Sequence, residues 1–189
     1  MTAFFRACLM MALPLTLTAC GGNSARYLLD APSAEQRARV AVSTIEIREV
    51  TLPAYAGASE ILLQGADGSL RPAAGAVWAD DPVRALTLAL ARNLDDGTTA
   101  TAAAEPWPLE RPADVRIDVR IERMVAQSDG QFRMTGQYAI AAPERAVRES
   151  INRFDIQQPV TDATPGAVAQ ATGAAMLTLS RQIATRLRR

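Results

Sequence analysis

The chain has 189 residues, 49% hydrophobic and 21% charged, which suits a single folded domain and excludes a disordered chain and, beyond the first twenty residues, a membrane-spanning one. Twenty basic residues balance twenty acidic ones, and every basic residue is arginine, so no lysine-rich run offers the surface that nucleic acid requires as a partner. Histidine is absent, which removes the commonest general base and metal ligand and argues against an enzyme, a metal site or a cofactor.

The N-terminus speaks of location. Arg6 precedes an apolar run from Ala7 to Leu17, the length of a secretory signal and too short to cross a bilayer. Leu17-Thr18-Ala19-Cys20 then resembles the lipobox of bacterial lipoproteins, in which the cysteine thiol takes a diacylglycerol before cleavage just ahead of it. Residues 1–19 are therefore expected to be a signal peptide, Cys20 the lipidation site, 20–26 a short tether and 27–189 one periplasmic domain. Several acyl chains, palmitate among them, would anchor the protein stably where one chain would not. Gly21 stands where the inner-membrane retention signal of Gram-negative lipoproteins places Asp, so the resemblance implies the periplasmic face of the outer membrane.

Along the mature chain, Tyr27 to Asp30 reads as a first strand, followed by a polar stretch from Ala31 to Arg39. Val40, Val42, Ile45, Ile47 and Val50 mark a strand whose apolar positions change parity between Val42 and Ile45, which a bulge or two buried faces would explain. Leu52-Pro53 breaks it, and Glu60 to Gln64 returns as a strand through the turn at Gly65-Ala66-Asp67-Gly68 to Leu70–Pro72. Asp80 and Asp81 are N-cap candidates ahead of Pro82, and Val83, Leu86, Leu90 and Leu94 then share one helical face that ends before Gly97. Thr98 to Pro108 is rich in Ala, Thr and Pro without periodicity and reads as a loop held by Trp107.

From Val115 the alternation is clean, with Val115, Ile117, Val119 and Ile121 on one face and Arg116, Asp118, Arg120 and Glu122 on the other. Ser128-Asp129-Gly130 turns the chain, and Phe132, Met134, Tyr138 and Ile140 continue with period two. A third strand spans about Val147 to Ile156. Thr164 caps a helix that opens with Pro165 and lays Val168, Ala171, Ala175, Leu179 and Ile183 in one stripe as far as Leu187, with Arg186, Arg188 and Arg189 at the negative end of its dipole. Strands, helix, meander, helix predicts a two-layer α+β fold, an antiparallel or mixed sheet with two helices packed on one face.

Chemistry is scarce. Asp118 and Glu122 form the one carboxylate pair with the spacing of an acid and base, but alternating charge is what a half-exposed strand requires. Serine and threonine hydroxyls lack both histidine and lysine to activate them, and no phosphate loop or dinucleotide fingerprint is present. Leu52, Pro53, Tyr55 and Trp78 are candidate contacts for a partner protein or a lipid, and equally read as anchors of core and loop.

The lipobox, Tyr27-Leu28-Leu29-Asp30, the run from Ile45 to Tyr55, Trp78-Ala79-Asp80-Asp81-Pro82 and Val115-Arg116-Ile117-Asp118-Val119 together, in this order, resemble the PqiC-like family of ABC-type transport auxiliary lipoproteins. The resemblance spans nearly the whole mature chain, with two departures: Asp81, and the stretch Thr98 to Glu105, for which no counterpart can be placed. It implies a non-enzymatic outer-membrane subunit of an Mce-type lipid transport system supporting envelope integrity. The implied partners are a periplasmic Mce-domain protein, inner-membrane transporter components and further copies of this chain in a homo-oligomer. Two other roles stand beside it: a lipoprotein assisting lipopolysaccharide assembly at an outer-membrane β-barrel, and a lipid hydrolase built on Asp118 and Glu122.

Overall fold

A computed structural model of the chain describes residues 24–29, 32, 36–160 and 162–188. Within them lie eight strands, β1 (Ala25–Tyr27), β2 (Thr44–Ile47), β3 (Glu60–Gln64), β4 (Leu70–Trp78), β5 (Thr101–Ala104), β6 (Val115–Ala126), β7 (Gln131–Ala141) and β8 (Ser150–Pro159). Two helices join them, α1 (Pro82–Gly97) and α2 (Pro165–Arg186), in an α+β arrangement on one mixed sheet.

Strand β6 organises the sheet. One edge pairs antiparallel with β7, which in turn pairs with β8. The opposite edge is shared by two short parallel partners: Ile45–Ile47 of β2 lie against Val115–Ile117, and β3 meets β6 at the pair Leu63 and Ala126. Between them Thr51 bridges, its N–H donating to the Val119 carbonyl and its own carbonyl accepting from Ile121 N–H, each at 2.9 Å. The turn at Pro53 to Ala56, where Ala56 N–H donates to Pro53 O, separates the two partners and explains why Leu52-Pro53 interrupts the strand. Beyond β2 lies β5, parallel to it, and beyond β3 lie β4 and then β1.

Local sequence chemistry decides the helices. Asp81 caps α1 by accepting from Arg84 N–H at 2.9 Å, with Pro82 in the first turn, and Leu86, Leu90 and Leu94 are buried while Val83 is half-buried. Thr164 caps α2 by accepting from Ala167 N–H at 3.3 Å, and Val168, Ala171, Ala175, Leu179 and Ile183 are all buried. Small residues on α2, among them Ala169, Gly173 and Ala175, are buried as well, which lets α1 and the sheet approach it closely.

Alternation along β6 holds, with Val115, Ile117, Val119 and Ile121 in the core, and the wet face carries paired charges. A β-bulge then intervenes, because Ile121 faces Gly136 while Arg123 faces Thr135, leaving Glu122 as the extra residue. Past it the inward positions become Met124 and Ala126, opposite Met134 and Phe132. Gly136 stands where no side chain fits: a Cβ there would lie 2.1 Å from the Arg120 carbonyl oxygen.

Several expectations need correcting. The segment from Thr98 to Pro108 is not all loop, since Thr101–Ala104 forms β5; alanines carry no strand signal of their own, and pairing with β2 supplies it. The strand expected from Val40 to Val50 is Thr44–Ile47 alone. Asp114 delimits it, accepting from the N–H groups of Ser43 and Thr44 at 2.6 and 3.1 Å while Thr44 Oγ1 accepts from Asp114 N–H. Ile45, Glu46 and Ile47 are all buried, so the strand has two covered faces. The first strand is Ala25–Tyr27 rather than Tyr27 to Asp30, of which Asp30 lies outside the described residues. The return strand of the hairpin runs on to Trp78, and the strand after the meander turn sits at Ser150–Pro159.

Candidate functional site

Of the four apolar candidates, Tyr55 and Trp78 come together, while Leu52 and Pro53 follow the bridge of Thr51 to β6. Leu52, Tyr55 and Trp78 are half-buried and packed on the core, and Pro53 is half-buried at the start of its turn. Tyr55 reaches across to β6, where its hydroxyl accepts from Met124 N–H at 3.0 Å, in the bulged half of the strand. Tyr55 and Trp78 converge on a void of about 20 Å³ bounded by Ile61, Met124, Phe132 and Thr172. Trp78 also borders a second void, of about 10 Å³, beside Tyr27 and Leu29. Each is about the size of one water molecule, so neither void has room for an acyl chain. Leu52 and Pro53 line neither void. Cys20, the lipidation candidate, lies outside the described residues.

The wet face of the sheet is a lattice of arginine–carboxylate pairs. Asp118 faces Arg120 at 3.4 Å and Glu122 faces Arg153 at 3.5 Å, so each of the two carboxylates once weighed as an acid–base pair has an arginine of its own. Arg133 and Asp155 meet across β7 and β8 at 2.5 Å, and that guanidinium holds the Asp155 carboxyl below the ordinary value of 3.8. Glu46 is 7% exposed and pairs with Arg116 Nε at 2.8 Å, the most enclosed of these contacts. Salt-bridged and largely solvated, the lattice offers no poised base. Among the described residues no cluster of three metal-binding side chains occurs, and no helix is long and apolar enough to cross a membrane.

Sequence reasoning missed a cleft of about 450 Å³ on the helical side, between the C-terminal halves of α1 and α2 and the segment 36–38. Arg37, Arg181, Arg188 and Asn93 line it. Arg37 lies 144 residues before Arg181 in the chain, so no local motif announces their meeting.

The model of the family described as ABC-type transport auxiliary lipoprotein component matches residues 27–184. The chain belongs to that family. Auxiliary lipoproteins of this kind are transport components and not an enzyme family. A Xanthomonas campestris protein of the family called DUF330 has a similar crystal structure, with a TM-score of 0.66 at 16% identity over 85% of this chain and 93% of that one. A second crystal structure, of an uncharacterised protein, matches with a TM-score of 0.64 at 16% identity over 82% of this chain and 98% of that one. Both show that the auxiliary-lipoprotein chain shares its fold with them. No curated protein matches the sequence.

Proposed function

We propose that this protein is a non-enzymatic, lipid-anchored outer-membrane subunit of an Mce- or Pqi-type ABC-associated lipid transport system, docking the periplasmic conduit to the outer membrane. The observation that carries the reading is the family match from residue 27 to residue 184, which follows closely on Leu17-Thr18-Ala19-Cys20. Acyl chains on Cys20 supply the anchor, and Gly21 in place of Asp directs the protein onward to the outer membrane. Leu52, Pro53, Tyr55 and Trp78, all half-buried, contribute to the surface that meets the partner, with further copies of this chain beside it.

Two measurements test the reading. Mass spectrometry of the purified protein should find an acylated N-terminus at Cys20, absent from a Cys20→Ala variant. Pull-down from solubilised envelope should recover an Mce-domain protein. Recovery of an outer-membrane β-barrel and no Mce-domain protein would replace the reading with a role in lipopolysaccharide assembly.

A further inference from the structure

The segment 36–38 is laid along the helix pair by backbone bonds: Ala38 N–H donates to Gly97 O at 2.7 Å, and Thr99 N–H donates to Ala38 O at 3.0 Å. This places Arg37 on one wall of the 450 Å³ cleft, with Arg181 and Arg188 of the α2 end on the other. No carboxylate lines the cleft among the described residues. None of the three arginines forms a salt bridge among those residues, whereas Arg116, Arg120, Arg133 and Arg153 on the sheet face all do. Arg37 spends one N–H on the Asp95 carbonyl at 2.9 Å, which fixes its guanidinium and leaves its other donors available.

Asn93 adds an independent sign. Its residue is 2% exposed, and its Nδ2 is buried with no hydrogen-bond partner among the described residues. Buried amides are almost always satisfied by protein, water or ligand, so the leftover donor of a cleft-lining residue marks a place for an acceptor that enters the cleft. The helix C-termini oppose an anion with about half a negative charge each, which three full positive charges outweigh.

We propose that this cleft binds a phosphate group carried on an organic ester. Three guanidinium forks match the several oxygens of phosphate better than the two oxygens of one carboxylate. The cleft is larger than the phosphate alone, which leaves room for a glycerol-sized substituent. The phosphate comes from a lipid headgroup or from a soluble ester. The inference stands apart from the transporter assignment, and either can fail without the other.

Calorimetric titration of the full lipoprotein in a neutral detergent tests it, with glycerol 3-phosphate and dihexanoyl phosphatidic acid as probes. Saturable binding of at least one probe is expected, weakened about tenfold or more in an Arg181→Gln/Arg188→Gln variant. Both positions are exposed, and losing the Arg188 charge from the end of α2 should cost only about 0.3–1 kcal/mol, so the variant stays folded and a cooperative melt separates lost binding from lost folding. Equal affinity for the two probes identifies a soluble ester, and tighter binding of the lipid identifies a headgroup. Absence of saturation with either probe up to about 10 mM, or affinity unchanged in the variant, overturns the proposal.

Discussion

Replacing Gly136 by alanine adds a single methyl group in the middle of the longest strand pair, and the structure indicates what it would meet. The new carbon would lie 2.1 Å from the Arg120 carbonyl oxygen, 3.0 Å from Ile121 Cα and 2.9 Å from Phe154 Cζ. Two of these are backbone atoms of the bulged β6, held by the ladder, so relief requires moving a strand by more than an ångström. Overpacking costs about 1–3 kcal/mol where side chains can give way, so the upper end or beyond is expected at a backbone contact. The loss of unfolded-chain freedom on going from glycine to alanine returns about 0.4–1 kcal/mol, which leaves a net loss of about 2 kcal/mol or more. For a domain of this size each kcal/mol moves the midpoint by about 2–4 °C, so thermal unfolding should fall by roughly 4–8 °C or more. Gly65→Ala is the milder contrast, since its added carbon meets side-chain atoms of Asp67 and Ser69 rather than backbone and should cost clearly less than Gly136→Ala. A Gly136→Ala protein that melts within about 1 °C of wild type would refute the bulge geometry.

Thr87→Val keeps the shape of a buried side chain but removes the hydroxyl that accepts from Val50 N–H at 3.0 Å and donates to Val83 O at 2.7 Å; chemical denaturation should show a loss of about 1–3 kcal/mol. Thr164→Ala removes the cap of α2 and should cost about 1 kcal/mol by the same assay, with little change in the denaturant slope. Asp155 is held below its ordinary value of 3.8 by the Arg133 hydrogen bond, against a smaller opposing effect of burial, so its contribution is present above that value and fades as pH falls through the lowered one. Asp155→Asn should therefore melt slightly below wild type at pH 7, with the gap narrowing under acid and under high salt; a gap that widens in acid would contradict the pairing.

The helices were legible because their signals are local. Asp81-Pro82 and Thr164-Pro165 carry cap and first-turn chemistry side by side, and the leucine spacing of α1 names its own buried face. The β6–β7 hairpin was legible for a similar reason, as one covered face imposes alternation and Gly130, with φ at +79°, sits in the turn where glycine is favoured. β5 was not, because Thr101 to Ala104 becomes a strand only through its neighbour β2. Nor was the bulge, whose signature is a parity change at Glu122 and a glycine on the facing strand, two observations that mean something only once the register is known. Of the candidate site, Tyr55 and Trp78 could be named as large aromatics, but their meeting across β6 is a product of topology. Arg37 and Asn93 read as ordinary polar positions until folding sets them beside the end of α2.

Strand β3 touches β6 through one residue pair, Leu63 with Ala126, while β7 is laddered to β6 along its length. The subassembly of β1, β4 and β3 is thus joined to the remainder mainly by side-chain packing, with Ile61, Ala73 and Ala76 in the core and Tyr55 and Trp78 against it. Few backbone bonds cross that seam, so side-chain contact is most of what resists sliding along it. Backbone amides of β3 and β4 are therefore expected to exchange with solvent sooner than those of the long ladder between β6 and β7.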